Sequence, residues 1–125
     1  MPCVLVVEDE HDIRRMLVLL LKSHGYETLI AGNGEEALDE MRRRRPCVVL
    51  LDVQMPIMDG WQFREIQLED PAIRDVPVVC ITGLYDPEEV TRRLGIPCLP
   101  KPANFADVIR EVERACGASP PNPSS

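Results

Sequence analysis

Three runs of the sequence limit the fold more than anything else in it. Cys3–Val7 reads CVLVV, Cys47–Leu51 reads CVVLL, and Val78–Thr82 reads VVCIT. A strand with one face in water alternates apolar and polar residues; these runs do not. They suit strands covered on both faces, as in a parallel sheet between helical layers. ETLIA (Glu27–Ala31) and IPCL (Ile96–Leu99) read as two further strands. Helical spacing fills the gaps between the runs. Ile13, Met16, Leu17, Leu20 and Leu21 recur at i, i+3, i+4, i+7 and i+8, and Gly25 closes that helix as a left-handed cap. A second helix starts at the N-cap Asn33, with Glu36 completing a capping-box-like arrangement, and stops before Pro46. A third runs from about Asp59 to Leu68, and a short fourth, Pro87 to Leu94, has proline in its first turn and Gly95 after its last. The fifth carries Phe105, Val108, Ile109, Val112 and Cys116 on one face. Five strands alternating with five helices make a doubly wound α/β sandwich, and right-handed crossovers favour the strand order 2-1-3-4-5.

Such a fold needs one core, and 125 residues supply it without a metal or disulfide staple. We assign residues 1–117 to this domain and 118–125, the end of the Pro/Ser-rich GASPPNPSS, to a flexible tail or linker. A net charge of −7 disfavours nucleic acid and anionic membranes as partners. The longest purely apolar run, Met16–Leu21, is too short to span a bilayer, and the N-terminus enters a strand with no room for a signal peptide. The five cysteines are odd in number and form no C-x-x-C pair; most lie in apolar runs, where a free cysteine acts as a small hydrophobe. This reads as a reduced, cytoplasmic protein.

Ligands on a doubly wound sheet bind beyond the carboxyl ends of the strands. Strand one runs into Glu8 and Asp9, strand three into Asp52, strand four into Thr82 and strand five into Lys101, one of two lysines in the chain. In the order 2-1-3-4-5, strands one and three are neighbours about 4.8 Å apart, so three carboxylates gather beside a hydroxyl and an ammonium. Like charges about 4 Å apart repel by roughly 4 kcal/mol at an effective dielectric near 20, so the cluster raises a pKa or holds a cation. All-oxygen ligands favour a hard ion, and Mg²⁺ suits best, because it binds through a few carboxylates and leaves room for a phosphate oxygen. A carboxylate placed there can also act as a nucleophile toward phosphorus.

VVEDE, LLDVQMPIMDG, ITG and LPKP occur in this order and spacing. Together they resemble the receiver domains of two-component response regulators, over residues 3 to about 116. The resemblance implies a five-stranded (βα)5 flavodoxin-like sandwich and a phosphoacceptor switch rather than an enzyme. It makes Asp52 the phosphoacceptor. Asp9, Asp52 and the Gln54 carbonyl would ligate Mg²⁺ directly, and Glu8 through water. Thr82 would be the switch hydroxyl, Lys101 and the Gly83 backbone would contact the phosphoryl group, and Pro102 would follow a cis peptide bond. Pro56 and Gly60 would shape the loop after Asp52. The donor would be a histidine kinase or histidine phosphotransfer protein. The reader would be a separate protein or an effector domain beyond this sequence, and a homodimer is compatible with the family. The chain departs from the pattern at Cys98, where relatives carry Tyr or Phe, and in a fourth helix that is slightly short. Leu84, beside the switch threonine, would limit access of water.

Two other readings fit the residues less well. One is a phosphorylation-independent adaptor or dimerisation module on the same fold; the other is a flavodoxin-like cofactor binder. GNGEEA (Gly32–Ala37) matches a dinucleotide fingerprint, but it follows the second strand, and Glu35 and Glu36 would repel a pyrophosphate. Arg42–Arg45 complements a helix dipole in an acidic protein and reads as a solvated helix end. His11 and His24 read as surface residues, and Trp61 as packing.

Overall fold

Side chains that leave both faces of a strand must be shared between two cores, and the computed structural model divides them so. It describes residues 2–53, 59–83 and 85–116. The elements are β1 (Cys3–Val7), α1 (His11–Ser23), β2 (Glu27–Ala31), α2 (Gly34–Arg43), β3 (Val48–Asp52), α3 (Gly60–Glu69), β4 (Val78–Thr82), α4 (Pro87–Leu94), β5 (Cys98–Pro100) and α5 (Phe105–Ala115). All strand pairs are parallel and the order is β2-β1-β3-β4-β5, as the alternation of runs and helices implied. β1, β3 and β4 are buried along their whole length. Leu5, Val7, Val49, Leu51, Val78 and Cys80 face one core with Leu38 and Met41 of α2, Phe63 of α3 and Val90 of α4. Val4, Val6, Val48, Leu50, Val79 and Ile81 face the other, with Leu17 and Leu21 of α1 and Val108 and Val112 of α5. Each such aliphatic side chain contributes about 1.5–3 kcal/mol of burial, which makes a one-residue slip of register prohibitive.

Helix ends follow their local chemistry. The Asn33 side chain accepts from the Glu36 backbone N–H at 2.9 Å. Glu36, however, reaches back to the Gly32 N–H at 2.9 Å, one residue earlier than a capping box requires. A full capping box does form at α3, where Asp59 accepts from the Gln62 N–H and Gln62 accepts from the Asp59 N–H. Gly25 and Gly95 end α1 and α4 at φ +89° and +71°, a left-handed conformation that disfavours a Cβ. Inside the α3–β4 connection the buried Gln67 amide donates to the Ile73 and Val76 carbonyls, both at 3.0 Å. These bonds hold the turn that leads into β4.

Several expectations need correction. Cys47 and Cys116 are joined by a disulfide across 69 residues of sequence, so these two are not free. The Cys47 N–H donates to the Cys3 carbonyl at 2.8 Å at the start of β1, and α5 ends beside it, a proximity that only the topology creates. Cys3, Cys80 and Cys98 are free thiols among the described residues. Phe105 is 47% exposed rather than buried: in the first turn of α5 it lines an open surface cavity with Leu20 and His24 instead of entering the core. Met16 is exposed as well. β5 itself begins two residues later than the IPCL run suggested. Trp61 packs partly buried against the first core, His11 and His24 are exposed, and the arginines at the end of α2 pair mostly with neighbouring segments rather than standing free in solvent. Arg42 meets Asp70 at 3.0 Å, Arg43 meets Glu40, Arg44 meets Glu27, and Arg45 donates to the Ala72 carbonyl. The tail, Gln54, Pro56 and Leu84 lie outside the described residues. Among the described residues no helix is long and apolar enough to cross a membrane.

Gly60 fixes how closely α3 approaches the end of β3. Its N–H donates to the Val53 carbonyl at 2.8 Å, and a Cβ added there would lie 2.8 Å from the Val53 Cα. Backbone on both sides leaves little room to yield. Gly60→Ala is expected to lower stability by about 1–3 kcal/mol, read as a lower urea midpoint at an unchanged m-value.

Candidate functional site

The carboxyl ends of β1, β3, β4 and β5 converge, and the backbone fixes each side chain there. The Glu8 N–H donates to the Ala31 carbonyl at 3.0 Å, which holds the residue after β1 against the end of β2. Arg14 of α1 donates to the Glu8 carbonyl at 3.0 Å. The Lys101 N–H donates to the Thr82 carbonyl at 2.8 Å, so the lysine continues the β4–β5 ladder past the last strand residue. The peptide bond between Lys101 and Pro102 is cis, as expected. Gly83 lies beside the lysine stem, 3.2 Å from Lys101 Cβ to where its own Cβ would be.

From these positions the side chains meet. Lys101 Nζ lies 3.1 Å from Glu8 Oε1 and 3.2 Å from Asp52 Oδ2, with Glu10 at 4.0 Å. Glu8 and Asp52 are buried, at 1% and 5% relative exposure. Glu8, Asp9 and Asp52 each offer one carboxylate oxygen, and the three lie within 4.8 Å of one another. Thr82 is buried at the end of β4, and its hydroxyl accepts from the Tyr85 N–H at 3.1 Å. Two buried acids and one ammonium leave excess negative charge. Burial and the neighbouring Asp52 together raise the Glu8 pKa to about 7, and Lys101 only partly offsets them. Burial alone would lower the Lys101 pKa, but Asp52 and Glu8 outweigh it and hold the ammonium charged.

The donor set fits a small hard cation. Mg²⁺ binds oxygen at about 2.0–2.1 Å and commonly keeps waters, so a cluster of this span suits direct ligation by Asp9 and Asp52 with Glu8 reached through water. Among the described residues the site thus unites Glu8, Asp9, Asp52, Thr82, Gly83 and Lys101. The expected fourth metal ligand, the Gln54 carbonyl, lies outside them. Sequence reasoning missed several features. Lys101 binds Glu8 as closely as Asp52, Arg14 secures the Glu8 backbone, and Glu10 extends the acidic rim. At the mouth, the Arg93 guanidinium sits 4.5 Å over the Trp61 ring, and Trp61 meets Tyr85 edge-on at 5.6 Å. No local spacing signals a contact between residues so far apart in sequence.

A parallel five-stranded sheet of order 2-1-3-4-5 with an acidic, lysine-bridged cluster at its carboxyl ends defines a flavodoxin-like α/β domain. Residues 4–113 match the family described as response regulator receiver domain, and the chain belongs to that family. Among relatives, the polar-differentiation response regulator DivK of Brucella anthropi is 31% identical, over 91% of this chain and 95% of its own. A probable transcriptional regulator, ycf27, of Porphyridium aerugineum is 35% identical over 90% of this chain, which spans 50% of that protein's length. This chain covers half or less of the first curated relatives it matches. Among solved structures, the receiver domain of a Pseudomonas aeruginosa sensor histidine kinase superimposes with a TM-score of 0.84 at 26% identity, covering 93% of this chain and 98% of that one. That domain was solved with a magnesium ion coordinated in its active-site cleft.

The charge imbalance gives paired expectations for the metal-free protein. Lys101→Met leaves Glu8 and Asp52 facing each other without an ammonium and should cost about 1–3 kcal/mol, below the usual cost of breaking a buried pair because Lys101 keeps some exposure. Asp52→Asn relieves the same repulsion and should not destabilise. Urea titrations in chelator test both, and millimolar Mg²⁺ should recover part of the Lys101→Met loss.

Proposed function

We propose that this domain is the phosphoacceptor switch of a two-component or phosphorelay system, with Asp52 accepting the phosphoryl group. The observation that carries this reading is the placement of Asp52: buried at the end of β3, 3.2 Å from Lys101 Nζ, and within 4.8 Å of the Glu8 and Asp9 carboxylate oxygens. A carboxylate so placed is oriented, charge-compensated and shielded from bulk water on its sheet side. Phosphoryl transfer asks for little more than positioning and neutralised oxygens.

The donor is a phosphohistidine of a sensor histidine kinase or a histidine phosphotransfer protein. An Asp52 oxygen forms the new P–O bond as the P–N bond breaks, and the leaving imidazole keeps its electron pair and takes a proton. Lys101 moves its charge from the carboxylate to the phosphoryl oxygens. The Thr82 hydroxyl and the Gly83 N–H donate to those oxygens. Glu8, Asp9, Asp52 and the Gln54 carbonyl would hold Mg²⁺, which when bound neutralises charge on the transferring group. Residues 1–117 form the switch, residues 118–125 are a Pro/Ser-rich tail or linker, and the reader is a separate protein or an effector domain. The chain works in the cytoplasm, and its own chemistry is limited to taking up and losing the phosphoryl group.

The test is incorporation from a small phosphodonor such as acetyl phosphate, followed by intact-mass measurement. Incorporation should need Mg²⁺, vanish in Asp52→Asn, and fall by roughly 100-fold or more in Asp9→Asn. Equal incorporation in Asp52→Asn, or without divalent ion, would end the proposal. The half-buried Cys98 is too small to transmit a change by repacking as an aromatic ring of about 150–250 Å² would. Beryllofluoride should therefore shift amide resonances near Thr82 and Gly83 far more than those of residues 97–116.

A further inference from the structure

The sheet edge beside the site holds a second set of reactive groups. Cys80 of β4 and Cys98 of β5 are register partners on adjacent parallel strands. Neighbouring strands lie about 4.8 Å apart, inside the Cα range of roughly 4.4–6.8 Å that a disulfide spans. Register partners in a parallel pair project to the same side, and both cysteines pack into the core that also holds Val90, Leu94 and Ile96. Both are free thiols. They differ in access, since Cys80 is fully buried and Cys98 only half-buried. A hydrogen bond from the Cys80 thiol lowers the Cys98 pKa against the opposing effect of burial. The same bond, reinforced by burial, raises that of Cys80. The more accessible sulfur, Cys98, is the one an oxidant from solvent reaches first, and the enclosed Cys80 lies beside it on the neighbouring strand. That is the division of labour between an attacking and a resolving cysteine.

The geometry points to a dithiol–disulfide couple between Cys80 and Cys98 that responds to peroxide-class oxidants, with Cys98 oxidised first and Cys80 resolving it. The Cys98 sulfur attacks one peroxide oxygen, the O–O bond breaks, and the departing hydroxide leaves as water with the thiol proton. The Cys80 sulfur then attacks the Cys98 sulfenic sulfur. The S–O bond breaks, and a second water carries off the Cys80 proton. Two thiols lose two electrons and two protons, and one peroxide becomes two waters. The product ties β4 to β5 two residues before Thr82 and three before Lys101. The couple is separate from the Cys47–Cys116 bridge, which joins the start of β3 to the end of α5.

The full chain should be treated with hydrogen peroxide and mapped by mass spectrometry without reduction. Trypsin cuts at Arg92 and Arg93, between the two cysteines, so their cross-link joins separate peptides. The expected result is loss of both thiols together, with the joined peptide short of two hydrogens and released by dithiothreitol. In Cys80→Ala, dimedone should capture a sulfenic acid on Cys98; in Cys98→Ser, the Cys80 thiol should survive the oxidant. Three results would overturn the proposal: Cys98 over-oxidised beside an intact Cys80 thiol; Cys98 bridged to Cys3 or to a second chain; or both thiols surviving peroxide that fully consumes an exposed control cysteine. Should Cys80→Ala fail to fold, the wild-type map and Cys98→Ser decide between these outcomes.

Discussion

One ammonium holds the working end of this domain together. Lys101 touches Glu8 and Asp52 at nearly equal distance, so a single charge links the ends of β1, β3 and β5. The sheet forces the acids together because β1 and β3 are neighbours, and the apolar cores on both faces deny them water from below. Without a cation on that side the arrangement would be self-repelling. The lysine is held in turn by its backbone bond to Thr82, so the order of the β4–β5 edge and the electrostatics of the acidic pair are one problem.

The acidic site is therefore balanced rather than relaxed. One lysine faces two buried carboxylates, with Asp9 and Glu10 on the rim, and the Glu8 pKa is raised to about 7 as a result. A divalent ion or a phosphoryl group alters that balance in opposite senses. The Lys101 ammonium is shared between Glu8 and Asp52 while its backbone N–H is bonded to the Thr82 carbonyl, so the charge balance and the end of β4 are physically joined.

Much of this was legible in the sequence for a plain reason. Strands buried on both faces cannot hide a polar residue, so Glu8, Asp52 and Thr82 mark the points where β1, β3 and β4 leave the core, and Lys101 follows the partly exposed β5. The strand order, the Asn33 cap and the glycine stops at positions 25 and 95 follow from local rules. What escaped was long-range. The Cys47–Cys116 bridge, the direct Glu8–Lys101 contact and the Arg93–Trp61 stack join residues that share no local pattern. Phe105 escaped for another reason: its spacing marks it for the apolar stripe of α5, but spacing does not show that this turn of the helix lines an open cavity beside Leu20 and His24. The Asp59–Gln62 box was open to local reading, in the spacing D-x-x-Q.

The Cys47–Cys116 bridge also sets a mechanical property. A load applied to the chain after residue 116 does not first peel α5 from its sheet, because the cross-link passes the force to the start of β3. β3 lies between β1 and β4, so that force acts as shear along two rows of parallel hydrogen bonds. Rows loaded in shear resist together, whereas a peeled helix yields one contact at a time. A pull on the end of α5 therefore runs along the strand that carries Asp52 at its far end.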